Sequence, residues 1–323
     1  MTITDRIVGC LKGIATGDAI GKQTELLSHE DVFRWYPDGI RGFEGTPGSI
    51  IPRYVGNRKR EWRIAETTDD TERTIAVARA IIAERGSVAH ARVGLEMLRC
   101  TKCVHPGVKS LWEFHQAADP ARVATNHDGC GAAIRVAPVG ILFCSERLDD
   151  LVNGAREASI STHGGAVAIA AAAATAAAVS AAIDGSTPTD IILLAERAAI
   201  EAGHRWCGDA SSAFASTIRG VYEELKRLPG LRSTDVVTRW FPDRPMTIVP
   251  VALGLATVMH SAQEAILLAA NVGGDSDSVA SIVGAVLGAR DPTTINDDWY
   301  STVEAINEHD LLAVASELAK LRH

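Results

Sequence analysis

Apolar side chains recur every three or four residues along most of this chain, the spacing that gathers them on one face of an α-helix. Ile7, Leu11 and Ile14 begin the pattern, and Gly17 after them reads as a helix end. Ile75, Ala78 and Ile82 predict a second helix, closed by Gly86, and residues 88–98 a third. Further helices are predicted over 148–158, 166–183, 190–202, 210–228, 250–255, 261–270, 279–287 and 303–321. No run sustains a period-two alternation, so few strands are expected. No linker separates two halves and no repeat is convincing, so the pattern predicts one all-α domain over residues 1–323. The longest irregular stretch, about 28–66, holds Pro37, Pro47 and Pro52 and reads as a loop covering a substrate.

Segment 166–183 (AVAIAAAAATAAAVSAAI) is long enough to span a bilayer. It is mostly alanine, Thr175 and Ser180 interrupt it, and no aromatic belt flanks it. It therefore predicts a buried helix at the centre of a helical core, and no membrane partner. The first residues, MTITDRIVGCLKG, lack the basic start and long apolar core of a signal peptide.

Charge adds an exclusion. The 323 residues carry a net charge of −8, whereas a nucleic-acid binder needs a basic face to neutralise phosphates. The local basic run Arg53, Arg58, Lys59, Arg60 and Arg63 reads as a solvated loop or as a lip attracting an anionic substrate. The six cysteines form no evident disulfide framework, which suits a cytoplasmic location. Cys100 and Cys103 have the spacing of a zinc half-site, with His105 and His115 nearby, but no matching second pair is present. Nothing in the sequence sets an oligomeric state.

Two acidic clusters carry the chemistry. Thr67-Thr68-Asp69-Asp70-Thr71-Glu72 and Gly273-Gly274-Asp275-Ser276-Asp277-Ser278 each stand just before a predicted helix. Capping explains one carboxylate per helix, at roughly 1 kcal/mol. It explains adjacent or alternating carboxylates poorly, because their repulsion erodes the gain. A divalent cation removes that repulsion, and a donor set of oxygens without imidazole or thiol fits magnesium or manganese rather than zinc or copper. Asp275-x-Asp277-x-Val279 also matches the nucleophile loop of haloacid-dehalogenase-type phosphatases, and nucleoside hydrolases use an aspartate-rich loop. Both place it near the start of an α/β fold, which this helical pattern disfavours.

The motifs in order resemble the ADP-ribosylglycohydrolase family, which includes ADP-ribosylarginine hydrolases and the dinitrogen reductase-activating glycohydrolase. Gly13-x-x-x-Gly17-Asp18-Ala19-x-Gly21 followed by Glu25 resembles the family's opening helix and turn. Thr68-Asp69-Asp70-Thr71 and Gly274-Asp275-Ser276-Asp277-Ser278 resemble its two metal motifs. Residues 129–138 are similar to its glycine-rich substrate loop, and Ser161-Thr162-His163 to its central Thr-His signature. The resemblance implies a compact bundle of a dozen or more helices. It implies two Mg2+ ions (or Mn2+) held by Thr68, Asp69, Asp70, Asp275, Asp277 and Ser278, with Glu25, Asp69 and Asp275 carrying catalysis. Gly129, Cys130, Gly131 and His163 would contact the substrate. The sequence departs from the family pattern at Gln23 and Leu26 around the glutamate, at Cys130, where Asn is usual, at Gly164-Gly165, and at Glu72. The metal motifs are thus retained while the substrate pocket is altered.

The activity implied is magnesium-dependent hydrolysis of an N- or O-glycosidic bond to ADP-ribose, first of all on a modified protein side chain. The alternatives are the same chemistry on a small nucleoside or dinucleotide-derived N-glycoside, and a non-catalytic ADP-ribose-binding or structural protein, since the family also includes a lens crystallin.

Overall fold

The computed structural model describes residues 1–45, 53–55, 58–102, 121–207 and 210–323. Among them are fifteen α-helices: α1 (Ile3–Gly21), α2 (His29–Trp35), α3 (Asp69–Ala83), α4 (His90–Met97), α5 (Ala137–Leu142), α6 (Leu148–Ser159), α7 (Ala166–Ile183), α8 (Pro188–Ala202), α9 (Ala210–Leu225), α10 (Ser233–Trp240), α11 (Pro245–Val258), α12 (Ala262–Ala270), α13 (Ser276–Arg290), α14 (Asp297–Asn307) and α15 (Leu311–Leu321). One small antiparallel pair, β1 (Arg53–Val55) and β2 (Arg58–Arg60), sets Tyr54 opposite Lys59.

A capping box starts α1: Asp5 N–H donates to the Thr2 hydroxyl at 3.1 Å, and Thr2 N–H to the Asp5 carboxylate at 2.7 Å. Gly9, Gly13, Gly17 and Gly21 then form a stripe with four-residue spacing. That stripe lies against α13 at backbone contact. A Cβ at Gly9, Gly13 or Gly17 would overlap the carbonyl oxygen of Gly288, Gly284 or Ala280 respectively. At Gly21 it would overlap the Ser276 carbonyl. The pairing runs antiparallel, so the C-terminus of α1 meets the N-terminus of α13.

The alanine-rich α7 is buried along its whole length from Ala168 to Ile183 and lies at the centre of the helices, as its composition predicts. Gly140 of α5 faces the Ala176 carbonyl with no room for a Cβ, so small side chains set the spacing here too. One continuous apolar core joins α1 and α3 to α15.

The structure departs from the periodicity in identifiable places. Gly17 does not end α1, because it belongs to the contact stripe. Residues 303–321 form two helices, since Glu308 and Asp310 both take left-handed φ of 53°. The apolar spacing continues across the break because Val303 of α14 and Leu311, Ala315 and Leu318 of α15 face the same core. The irregular stretch 28–66 contains α2, capped by Ser28, whose hydroxyl accepts from Asp31 N–H at 3.1 Å, and the β1–β2 pair. Its residues 46–52 and 56–57, and the side chains of Arg53, Arg58, Lys59 and Arg60, lie outside the described residues, as do Cys103, His105 and His115. Pro250 sits inside α11, where burial of residues 247–257 outweighs one lost backbone bond. Only Val236 of α10 is fully buried, with Val237 and Trp240 packed against the core, an apolar face too short to read in an eight-residue helix.

Two glycine replacements test the close contact by opposite signs. Gly→Ala in a helix raises stability by roughly 0.5–1 kcal/mol when the site is open. A Cβ added at Gly220 in α9 would meet no atom within 4 Å, so G220A should gain about that amount. G13A should instead lose at least about 1 kcal/mol, because overpacking costs roughly 1–3 kcal/mol and exceeds the propensity gain. Denaturant unfolding measures both; a G13A protein as stable as wild type would refute the contact.

Candidate active site

The antiparallel α1–α13 contact brings four segments to one end of the bundle. Asp18, buried on the last turns of α1, accepts from Thr68 N–H at 3.0 Å and from the N–H and hydroxyl of Thr71 at 3.0 and 2.5 Å. It thereby docks the N-terminus of α3 against α1. Ser276 donates to the Gly21 carbonyl at 2.9 Å and contacts the Thr24 hydroxyl at 3.0 Å, fixing the N-terminus of α13 to the same place. Gly273 and Gly274 have φ of +83° and +71°, and any side chain there would overlap the Leu27 or Pro242 carbonyl. Leu26 N–H donates to the Gly274 carbonyl at 2.7 Å and Gly274 N–H returns to Leu27 at 2.8 Å, so Glu25 and Asp275 are clasped side by side.

The result is a cavity of about 210 Å³ lined by Glu25, Asp69, Asp70, Asp275, Asp277 and Ser278 on one wall, with Arg73, His127, Gly129, Cys130, Gly131, Ile134 and His163 around them. Asp70 and Asp277 are buried, while Asp69 and Asp275 are half-buried. Burial first, and then the neighbouring carboxylates, pushes the Asp70 and Asp277 carboxyls well above the usual range. Burial also raises Glu25, against the pull of Lys22. Lys22 pairs with Glu25, and Arg73 with Asp69 at 3.0 Å. For Lys22, burial works to lower the ammonium, but Glu25, Asp277 and Asp69 outweigh it and hold the group above its usual value.

The opposite wall is built by close approach. Gly129 and Gly131 flank His163: a Cβ on either would stand about 3 Å from the ring, at 3.0 Å from Nε2 and 2.9 Å from Cε1 respectively. The Thr162 hydroxyl lies 2.7 Å from His163 Nδ1. Burial, with Arg135, His127 and Arg73 adding, holds this imidazole well below its usual range and therefore neutral at pH 7. Gly164 and Gly165 leave room for the strand-like segment 124–128, which they meet through Gly164 N–H to Asn126 and Gly165 N–H to His127 at 2.9 and 3.3 Å. Those bonds deliver His127, whose φ is +83°, to within 4.5 Å of the His163 ring centroid. The Cys130 thiol donates to Asp275 Oδ2 at 3.1 Å, and burial keeps it protonated.

The donor set fits a hard divalent cation. Five carboxylates and a serine hydroxyl face one cavity. Asp70 Oδ2 is buried without a hydrogen-bond partner among the described residues, the kind of orphaned oxygen that a cation satisfies. Among the described residues no three carboxylate, imidazole or thiol groups converge on a single point, since Glu25 turns to Lys22 and Asp69 to Arg73.

The whole chain, residues 1–323, matches the sequence model of the family described as ADP-ribosylglycohydrolase. The chain belongs to the ADP-ribosylglycohydrolase family. It is an enzyme of that hydrolase family. It is 26% identical to the uncharacterized protein YegU of Escherichia coli (strain K12), over 99% of this chain and 98% of the relative. It is 25% identical to the ADP-ribosylhydrolase ARH3 of Mus musculus, over 95% and 90%. A solved structure titled ADP-ribosylglycohydrolase-related protein complex shares the fold, with a TM-score of 0.73, 21% identity and 99% of each chain covered.

In this glycohydrolase Glu25, Asp69, Asp70, Asp275, Asp277, Ser278, Gly129, Cys130, Gly131 and His163 all line one cavity. Thr68 does not; it caps α3, with its hydroxyl accepting from Asp70 N–H at 3.1 Å. Arg135 is a structural anchor, donating to the Ala158 and Ser159 carbonyls at the end of α6. Glu72 points away, accepting from Thr101 and Lys102 N–H at 2.7 Å. Gln23 stitches residues 42–45 to α1, accepting from Glu44 and Gly45 N–H and donating to the Gly42 carbonyl. Sequence reasoning missed Lys22, Arg73 and His127. Arg73 was legible as the i+4 partner of Asp69; Lys22 and His127 carry no motif.

Since Asp277 ionises against a raised pKa, the native state binds more protons than the unfolded chain above the ordinary carboxylate pKa, and stability falls as pH rises. Asn imitates the protonated form. In chelator, D277N should melt above wild type, by at least about 2 °C at pH 7, with the gap shrinking towards pH 4. Equal melting at both pH values would remove this strain from the site.

Proposed function

We propose that the protein is a divalent-cation-dependent hydrolase that cleaves the glycosidic bond between ADP-ribose and a modified protein side chain. The reading rests on one observation: two acidic helix N-termini, far apart in sequence, face one cavity with a buried carboxylate oxygen left unpaired. Relatives named ADP-ribosylhydrolase support the substrate class. Asp69, Asp70, Asp275, Asp277 and Ser278 would hold two ions, magnesium or manganese, while the Thr68 hydroxyl is engaged as the cap of α3. Such ions supply a polarised water and a template for ribose hydroxyls.

The chain's own groups do the rest. Glu25 sits beside Asp275 with its pKa raised by burial, which makes it a better proton acceptor than an exposed carboxylate. It takes the proton from the attacking water while the bond from the anomeric carbon to the leaving group breaks through an oxocarbenium-like state, and the same proton passes from Glu25 to the departing group, so that water is divided between sugar and leaving group. His163, neutral, presents a ring nitrogen to the ribose or diphosphate, and the backbone of residues 129–131 passes close enough to donate to it. A cavity of about 210 Å³ is smaller than the roughly 300 Å³ at which pockets begin to enclose a whole ligand, so it takes the ribose and leaves the remainder outside. The Cys130 thiol beside Asp275 favours, as a second reading, a small N-glycoside in place of a protein adduct. The free thiols Cys10, Cys100, Cys130 and Cys144 suit a cytoplasmic enzyme.

Turnover of ADP-ribosyl-arginine and ADP-ribosyl-serine proteins, O-acetyl-ADP-ribose and free nucleosides separates these readings. D69N and D275N should each cut kcat/KM by at least about a thousandfold, some 4 kcal/mol of transition-state stabilisation, and chelator should abolish it until Mn2+ is restored. E25Q should lose kcat while still binding Mn2+. Activity persisting in chelator would overturn the mechanism.

A further inference from the structure

The site holds a cation of its own. Lys22 is 1% exposed, one of the largest fully buried side chains in the protein. It follows Gly21, the last glycine of the α1 stripe, so the close contact with α13 fixes the backbone that carries it. Its ammonium pairs with Glu25 and lies 4.4 Å from the centroid of Trp62, which is itself buried. Its other charged neighbours are Asp277 and Asp69. No substrate-facing role is needed to account for it, because Lys22 is absent from the cavity lining.

A buried lysine is stabilised by ionic partners, and here those partners are carboxylates of the proposed ion site. We propose that Lys22 is a resident counter-ion of this site: it supplies one positive charge to the carboxylate ring, occupies one Glu25 oxygen, and so weakens divalent-cation binding while stabilising the cation-free fold. Trp62 sets its position by covering the ammonium from the other side. The charge repels an incoming cation at short range, where the interaction is worth kilocalories rather than tenths, and pairing with Glu25 removes one potential oxygen ligand. The inference rests on the two-ion reading above and deepens it.

Mn2+ binding, followed by electron paramagnetic resonance of free Mn2+ and by calorimetry on the full chain, tests it without any turnover assay. K22M should bind Mn2+ at least about tenfold more tightly than wild type and melt lower in chelator, so that the melting shift on adding Mn2+ grows. K22Q gives the same neutral change with a polar side chain, should K22M not fold. K22R keeps the charge and should stay within about threefold of wild-type affinity. Affinity unchanged or weakened in both neutral variants, with wild type binding Mn2+ normally, overturns the counter-ion role and leaves the two-ion site standing. No Mn2+ binding by wild type or by either neutral variant overturns both.

Discussion

Everything at the functional end depends on two helices touching backbone to backbone. Gly9, Gly13, Gly17 and Gly21 remove every Cβ from one face of α1, and Ala280, Gly284 and Gly288 do much the same for α13. Glycines in helix interiors cost about 1 kcal/mol each against alanine, so a stripe of them is retained only where the approach itself is needed. What the approach secures is registry. It places the end of α1, with Asp18, Lys22 and Glu25, against the start of α13, with Asp275 and Asp277. Asp18 then carries the constraint to a third element by accepting three hydrogen bonds from Thr68 and Thr71 at the start of α3.

Convergence of these segments concentrates negative charge that water no longer screens. Five carboxylates line the cavity, and the adjacent cations are Lys22 and Arg73. The N-termini of α3 and α13 add the positive ends of their macrodipoles, each equivalent to about half a charge and weakening within one turn. These local compensations are incomplete, which is why burial and mutual repulsion still push Asp70 and Asp277 upward. Asp18 escapes the problem in a different way: it too is raised by burial, yet its oxygens are filled by amide and hydroxyl donors. The contrast between a saturated Asp18 and an orphaned Asp70 oxygen separates a carboxylate that builds the fold from one left available for the proposed chemistry.

Helices with an apolar stripe, such as α3, were legible in the sequence because burial and periodicity coincide, and α7 was legible from its unbroken small apolar run, which is buried all round. The acidic motifs were legible because two carboxylates at one helix start conflict with capping alone. Elements set by tertiary contact were not. Gly17 reads locally as a stop and acts as a packing surface. The break between α14 and α15 lies in two left-handed residues, Glu308 and Asp310, of types that give little warning of such a conformation. Likewise the Gly164-Gly165 pair, a departure from the family pattern, becomes intelligible only beside segment 124–128, which a larger residue would displace. His127 reaches the cavity through that segment, and no spacing in the sequence links it to His163.

These observations bear on what the site can accept. With Lys22 and Arg73 counted, the five carboxylates leave a formal charge that a single divalent cation does not cancel and that two would slightly exceed. On the proposed two-ion reading, an anionic diphosphate would be repelled in the first state and attracted in the second, so that substrate affinity and cation occupancy would be coupled by electrostatics and each would strengthen the other. The same coupling explains why neutral groups make up much of the opposite wall. His163 held uncharged, glycine backbone and a protonated Cys130 add no fixed charge to that wall, so in the proposed enzyme the balance between carboxylates and cations would decide which molecules are admitted.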